Sequence, residues 1–286
     1  MGLLEIVRRF DGDIVELDVL DPDRGAGLHA GERVVVDGVT YVHRPYRVWI
    51  DLAERLGYRM RTPRVIEPPC VRLVFERVRP SAAKPEDGSE KYGVDSEWAR
   101  SSKLEEPGFV IDFAEALDRI ELPERPRILD LGVNTGDEFE LLQQLRPAMK
   151  PTLVGVDRSA SALAVARQRF PEATFIEADL DQPLELGEPF DLVISIATLQ
   201  SASIDDRALL RRIVQRHLTP TGAVIFGVPN CRIGGGELSY GARMKNFRQP
   251  ELGLVVKDIA FYRKYLQQHG RQVFVTGKYY LLVTAV

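Results

Sequence analysis

The stretch Ile128-Leu129-Asp130-Leu131-Gly132-Val133-Asn134-Thr135-Gly136-Asp137-Glu138 decides the fold. A short apolar run with strand character breaks into a turn that leads to a helix. Gly132 and Gly136 carry no Cβ and Asn134 tolerates a left-handed backbone, so the main chain of this turn can approach a ligand closely. Neither phosphate-binding spacing, G-x-x-x-x-G-K-[ST] or G-x-G-x-x-G, is present. Asp137 and Glu138 also stand where a pyrophosphate would meet the helix N-terminus, so a nucleoside ligand with a positive end fits better.

Outward from this turn the same rhythm repeats. IDFAEALDRI before it reads as a helix with Phe113, Leu117 and Ile120 on one face. After it come strand-like TLVGVD, helical SASALAVARQRF, strand-like ATFIEADL and FDLVISIA, and helical DDRALLRRIVQRHL. The series closes with strand-like AVIFGVP, helical KDIAFYRKYLQQHG, and the strands RQVFVTG and YLLVTAV. Short apolar runs separated by helices predict an α/β fold, a doubly wound parallel sheet covered on both faces, with its ligand at the carboxyl ends of the strands. The last two runs, joined by Lys278-Tyr279-Tyr280, predict an antiparallel hairpin.

The chemistry collects at the strand ends. Asp157, closing VGVD and followed by Arg158, can accept both hydroxyls of a ribose. In Glu177-Ala178-Asp179-Leu180 a carboxylate beside an apolar residue can receive the exocyclic amine of adenine while Leu180 packs on the ring; Asp179 can equally cap the following turn. Ser195 ends the next strand as a pocket hydroxyl or as a satisfied buried one, and the chain then enters Ala197-Thr198-Leu199-Gln200.

ILDLGVNTG, VGVD, EADL, FDLVISIATL and the terminal hairpin, in this order and spacing, resemble the class I S-adenosylmethionine-dependent methyltransferases over about residues 108–286. The resemblance implies a mostly parallel seven-stranded sheet ending in an antiparallel hairpin, S-adenosyl-L-methionine as cofactor, and methyl transfer to an oxygen or nitrogen. It implies that Asp130, Gly132, Asn134 and Gly136 line the methionine end of the cofactor, that Asp157 and Arg158 lie at the ribose, that Asp179 and Leu180 hold adenine, and that Ser195 adjoins the reactive end. The family commonly has glycine where this chain has Asn134, which predicts a slightly altered cofactor loop.

On the acceptor side, Thr198, Gln200, Asn230, Arg232, Tyr240 and Arg243 are the candidate lining, and Arg232, Arg243 and Lys245 could clamp a carboxylate or phosphate. Gly234, Gly235 and Gly236 permit a mobile lid. Cys231 lacks the Pro-Cys pairing seen in many pyrimidine-carbon methyltransferases and reads as a buried thiol. His43, Asp205, Asp206 and Tyr240 are chemically able to act as a base, and no catalytic residue is singled out. Tyr92, Arg100 and Lys103 lie just before the domain, where the resemblance implies an entry helix folded over the cofactor; such residues are more often on the surface.

Composition bounds the rest. At 286 residues, 44% hydrophobic and 28% charged, the chain suits one large domain and a smaller one. No apolar stretch is long enough to span a bilayer, and MGLLEIVRRFDGD carries charges where a signal peptide needs an apolar core, so a cytoplasmic protein without a membrane partner is expected. Two cysteines and four scattered histidines predict neither a disulfide framework nor a metal site.

Residues 1–80 read as a small α+β module. In it ERVVVDGVTYVHR forms a hairpin about Asp37-Gly38, VWIDLAERLG a helix closed by Gly57, and VRLVFERV a half-buried strand. Polar residues 81–107 read as a linker running into a short helix, and 108–286 as the main domain.

Charge is uneven: 13 basic and 13 acidic side chains in residues 1–80, 16 and 26 in 81–230, and 9 and 3 in 231–286. The basic final segment and the nine arginines among residues 44–79 favour RNA as acceptor, whereas the acidic middle favours a small anionic metabolite. A nicotinamide-dependent oxidoreductase would want G-x-G-x-x-G. A non-catalytic module could keep the cofactor fold to recognise a partner.

Overall fold

The computed structural model describes residues 2–79, 93, 94, 96, 102–201, 203–234, 237–240 and 252–286. The chain divides into two compact units, Met1–Ala83 with Ile233–Ser239, and Lys84–Arg232 with Tyr240–Val286. Sequence reading places residues 233–239 in the main domain, whereas they group here with the first unit.

The first unit contains α1 (Leu3–Val7), β1 (Ile14–Leu20), β2 (Arg33–Val36), β3 (Val39–Val42), α2 (Tyr46–Leu56), β4 (Tyr58–Met60), β5 (Arg64–Val65) and β6 (Cys70–Arg77). β6 pairs antiparallel with β1, β4 and β5. Val71, Leu73 and Phe75, alternate residues of β6, face Trp49 and Ala53, one helical turn apart on α2, in a single core. Gly57 ends α2 with φ 75°, and Asp37 and Gly38, with φ 50° and 77°, turn β2 into β3.

Several arginines of this unit are spent locally in ion pairs, Arg72 on the face of β6 opposite this core. Arg72 sits opposite Asp18 in register and binds it through Nε at 2.7 Å and Nη2 at 2.9 Å. Arg61 pairs with Glu76, Arg64 with Glu16, and Arg79 with Asp13. The arginine-rich stretch is therefore a charge-balanced lattice and not the free basic face that its composition suggests.

The second unit contains α3 (Pro107–Asp118), β7 (Arg127–Leu131), α4 (Asp137–Leu145), β8 (Thr152–Asp157), α5 (Ala160–Arg169), β9 (Thr174–Glu177) and β10 (Phe190–Ile196). Then follow α6 (Asp206–Arg212) with one π-turn at Ile213–His217, β11 (Leu218–Pro229), α7 (Leu252–Gln268), β14 (Val273–Thr276) and β15 (Tyr280–Ala285); between β11 and α7 in sequence lie the paired β12 (Cys231–Gly234) and β13 (Glu237–Tyr240), most of whose residues group with the first unit. The main sheet has seven strands in the order β14-β15-β11-β10-β7-β8-β9, and β15 alone runs against the rest. The doubly wound sheet and its closing antiparallel hairpin are as the sequence predicts.

Both faces are covered, which explains the unbroken apolar runs. Leu192, Ile194 and Ile196 of β10 join Phe109, Phe113, Phe139 and Leu163 on one side. Val193 joins Leu209, Leu210, Tyr262 and Leu266 on the other. The chain winds outward from β7 through β8 to β9, then restarts on the other side of β7 at β10. Strand order thus reverses between β7 and β10, where a doubly wound sheet opens a crevice at its carboxyl edge.

Candidate functional site

The turn after β7 is held by its neighbour strand. The amides of Gly132 and Val133 donate to the Val156 carbonyl at 2.8 and 3.2 Å, and Gly136 N–H returns to Val133 O at 2.8 Å. Gly132, Asn134 and Gly136 have φ of 82°, 47° and 90°. Asn134 thus takes the left-handed conformation that glycine would supply, and its Oδ1 accepts from Thr135 N–H at 2.9 Å.

Asp157, at the end of β8, ties this turn to α5. Its Oδ2 accepts from Asn134 N–H and its Oδ1 from Ser159 N–H, each at 2.9 Å. A carboxylate has about four acceptor positions, so two bonds leave each oxygen able to accept another. The half-buried Asp157 can therefore hold the loop and receive a pair of ligand hydroxyls together, with half-buried Arg158 next to it.

The two glycines serve different ends. A Cβ on Gly132 would lie 2.0 Å from Thr198 Oγ1, so the segment after β10 rests directly on the cofactor-type turn. A Cβ on Gly136 would lie 2.6 Å from the Phe170 ring. Gly136 is accordingly a helix-packing glycine that also opens α4. Thr198 Oγ1 donates to Ile196 O at 3.1 Å, at a bend where Ala197 has φ 58°.

Under the turn lies a dry cluster of charge. Asp130 is fully buried beneath the turn beside Glu138, so its side chain has no surface for the cofactor that the resemblance assigns to it. Glu138, on the first turn of α4, is 1% exposed, and Lys103 Nζ lies 2.5 Å from its Oε1. Burial and the neighbouring Glu138 push the Asp130 carboxyl well above the usual carboxylate range, while Lys103 opposes them. Partial burial opposes the charge of the Lys103 ammonium, and the neighbouring carboxylates, Glu138 first, outweigh it and hold Lys103 above the ordinary lysine range. Lys103 is thus half-buried and ion-paired and not the free surface residue the sequence suggests; its partner is distant in sequence, and no local signal marks the pair.

Several expected contacts prove structural. Ser195 is fully buried and donates to the Leu131 carbonyl at 3.0 Å, so it clamps β10 to β7 and has no surface for a cofactor. Leu180 turns its side chain into the core, leaving only its backbone for a ring. Asp179 is exposed, and its Oδ1 caps the turn at Asp181 N–H, 3.0 Å away, with acceptor positions to spare. Buried Asn230 donates Nδ2 to Lys278 O at 3.0 Å and ties the end of β11 to the turn before β15, so it is a brace and not an acceptor contact.

Gln200 keeps its amide buried, with the Tyr262 hydroxyl among its neighbours. Tyr262 donates to buried Asp206 at 2.7 Å, a pair that sequence reading missed because it joins α6 to α7 across 56 residues. Asp205 caps α6 through Ala208 N–H at 3.0 Å. Asp206 is therefore engaged in the interior, Asp205 is an exposed helix cap, and His43 is buried within the first unit. Arg232 lies in β12 and Tyr240 ends β13, while Arg243, Lys245, Tyr92 and Arg100 lie outside the described residues. No helix among the described residues is long and apolar enough to cross a membrane.

Comparison with known proteins adds to this geometry. Residues 128–222 match the family described as methyltransferase domain. Trans-aconitate 2-methyltransferase from Variovorax paradoxus is 36% identical over 118 residues, 41% of this chain and 44% of that protein. The enzyme of the same name from Deinococcus radiodurans is 38% identical over 111 residues, 38% of this chain and 40% of its own length. The match thus spans less than half the length of these curated relatives. A solved S-adenosylmethionine-dependent methyltransferase from Mesorhizobium loti covers 61% of this chain and 95% of its own, with 22% identity and a TM-score of 0.42.

Proposed function

We propose that this chain, which carries a class I S-adenosylmethionine-dependent methyltransferase domain over residues 128–222, methylates a carboxylate oxygen of a small anionic acid. The observation that carries the cofactor assignment is Asp157, which holds the Gly132–Gly136 turn with one set of lone pairs and keeps another for a ribose. When bound, S-adenosylmethionine supplies a methyl carbon made electrophilic by its sulfonium. Asp157 would hold the ribose, Asp179 and the Leu180 backbone the adenine, and the Gly132–Asn134 backbone the amino-acid end. The chain's task is then to align donor and acceptor and to exclude water.

The acceptor class follows from charge and from the fate of the candidate bases. Asp206 is buried and paired with Tyr262 and Asp205 caps α6 at an exposed position, so an acceptor that is already a nucleophile at neutral pH suits this site best. A carboxylate is one; a hydroxyl or protonated amine needs a base. The ion-paired arginines of the first unit and the acidic residues 81–230 disfavour a long polyanion such as RNA. Arg232 and Arg243 are the cations we assign to the acceptor, with Thr198 lining its path beside Gly132. The relatives named trans-aconitate 2-methyltransferase support a small polycarboxylate.

The test is transfer of labelled methyl from S-adenosylmethionine to a panel containing trans-aconitate, other di- and tricarboxylates, and total RNA. Base-labile methyl ester on a polycarboxylate is the expected product. Label in RNA alone would overturn the acceptor assignment.

A further inference from the structure

We propose that Tyr280 is an acceptor-binding residue, whose hydroxyl donates a hydrogen bond to a carboxylate of the small anionic acid beside the ammonium of Lys103. This rests on the methyltransferase reading of the site and on its polycarboxylate acceptor.

The register of the sheet puts Tyr280 at the height of the crevice. Ile196, at the end of β10, stands beside Gly227 of β11, which stands beside Leu282 of β15. Tyr280, opposite Pro229, is one pleat further on, at the carboxyl edge. Strand order places it across from the Gly132 turn. β10 and β11 lie between β7 and β15, so three strand spacings, about 14 Å, separate the turn from the Tyr280 backbone. An acceptor that meets a donor seated on the turn therefore lies over the ends of β10 and β11, with Thr198 on its near side and Tyr280 on its far side. The amino-acid end of the cofactor also carries a carboxylate, but that end belongs to the turn, three strands away.

The hydroxyl is available to a ligand. Phe109 of α3 fixes the ring, with centroids 5.1 Å apart, and the ring packs on the same core as Ile196 and Leu282. Tyr280 is half-buried, so unlike Asp130 it keeps surface for a ligand, and among the described residues no hydrogen bond claims its hydroxyl. A half-buried donor on a rigid ring gives a direct bond to an anion at little cost in side-chain freedom.

Its surroundings keep it a donor. Burial first, then Cys231, Glu138 and Glu106, push the phenol up to about 12, and Lys103 opposes them. At neutral pH the oxygen therefore holds its proton. Neither neighbouring acid is idle: Glu138 pairs with Lys103, and Glu106 caps α3 through the amides of Gly108 and Phe109. The half-buried Lys103 ammonium carries three N–H donors, so it pairs with Glu138 and still attracts an anion. One neutral donor beside one positive charge suits a carboxylate.

The experiment is steady-state methyl transfer by the full chain, wild type and Tyr280→Phe, to trans-aconitate and to dicarboxylates that each lack one of its carboxylates. Affinity for S-adenosylhomocysteine is measured alongside by calorimetry. Tyr280→Phe keeps the ring on Phe109 and removes only the oxygen. It should lower kcat/KM for trans-aconitate about ten- to a hundredfold, the range for a hydrogen bond to a charged group, with S-adenosylhomocysteine affinity unchanged. The loss should vanish for the dicarboxylate lacking the carboxylate that Tyr280 binds, a selectivity that a merely structural role would not produce. Equal kcat/KM of variant and wild type, or the same proportional loss on every acceptor, overturns the proposal and leaves the methyltransferase reading standing. A fall in S-adenosylhomocysteine affinity that matches the loss in kcat/KM also overturns it, by placing Tyr280 at the carboxylate of the cofactor. If the wild type methylates none of these acids, the acceptor reading falls and this inference with it.

Discussion

Replacing Asp157 by alanine tests two roles of one carboxylate at once. In the folded protein Asp157 accepts the Asn134 and Ser159 amides at 2.9 Å each. Hydrogen bonds to a charged group contribute about 1.5–3 kcal/mol net, and water can reach this half-buried site, so the lower figure applies to each. Asp157→Ala should thus lower the unfolding free energy by about 3 kcal/mol, measured by urea denaturation followed by circular dichroism. It should also weaken S-adenosylhomocysteine binding at least tenfold, about 1.4 kcal/mol, by calorimetry below the unfolding transition. Asp157→Asn separates the roles. Its remaining oxygen serves one amide, so about half the stability returns, whereas an amide cannot accept from two ribose hydroxyls and both loop amides, so affinity stays low. A folded Asp157→Ala protein with wild-type affinity would refute the ribose role, and one with wild-type stability would refute the anchoring of the turn.

Other substitutions probe the frame around it. Gly132→Ala meets both a positive φ of 82° and Thr198 Oγ1 at 2.0 Å. It should cost about 1–2 kcal/mol from backbone conformation plus the clash, and adding Thr198→Gly should recover only the clash; equal stability of single and double variants would contradict this. Tyr262→Phe removes the donor to buried Asp206 and should cost about 2 kcal/mol in urea unfolding with cofactor affinity retained. An unchanged midpoint would show the pair to be idle. His217 is held below its ordinary value of 6.5 by burial and by Arg212 and Arg216. A depressed folded value means the imidazole contributes stability above the unfolded pKa and loses it as pH falls through the folded one. His217→Gln should therefore flatten thermal stability below about pH 6.5, and identical melting curves across that range would exclude the effect.

How much of this was legible without coordinates depends on the range of the interaction. The strands and helices of the main domain were readable because a strand buried on both faces must be apolar throughout, and the helices between them keep their own period. Ends were less readable. α3 starts at Pro107, ahead of the apolar period, because Glu106 caps its first amides. The sequence reading begins α7 at Lys257, yet the helix starts at Leu252. β1 was missed although Val15 and Leu17 alternate with exposed residues, and β4 and β5 are too short to leave a period.

The sequence by itself determined the doubly wound sheet, the turn after β7 and the acid at Asp157, since each is written in a local pattern of burial, glycine and charge. Only tertiary structure decided what the remaining polar residues do. Ser195 and Asn230 became braces because neighbouring carbonyls claimed their donors. Gly136 proved necessary for Phe170, and the arginines of the first unit met carboxylates across β1 and β6. Lys103 reached Glu138 across 35 positions of sequence. A side chain's partner is set by which strands and helices end beside one another, and that proximity appears only when the sheet is assembled.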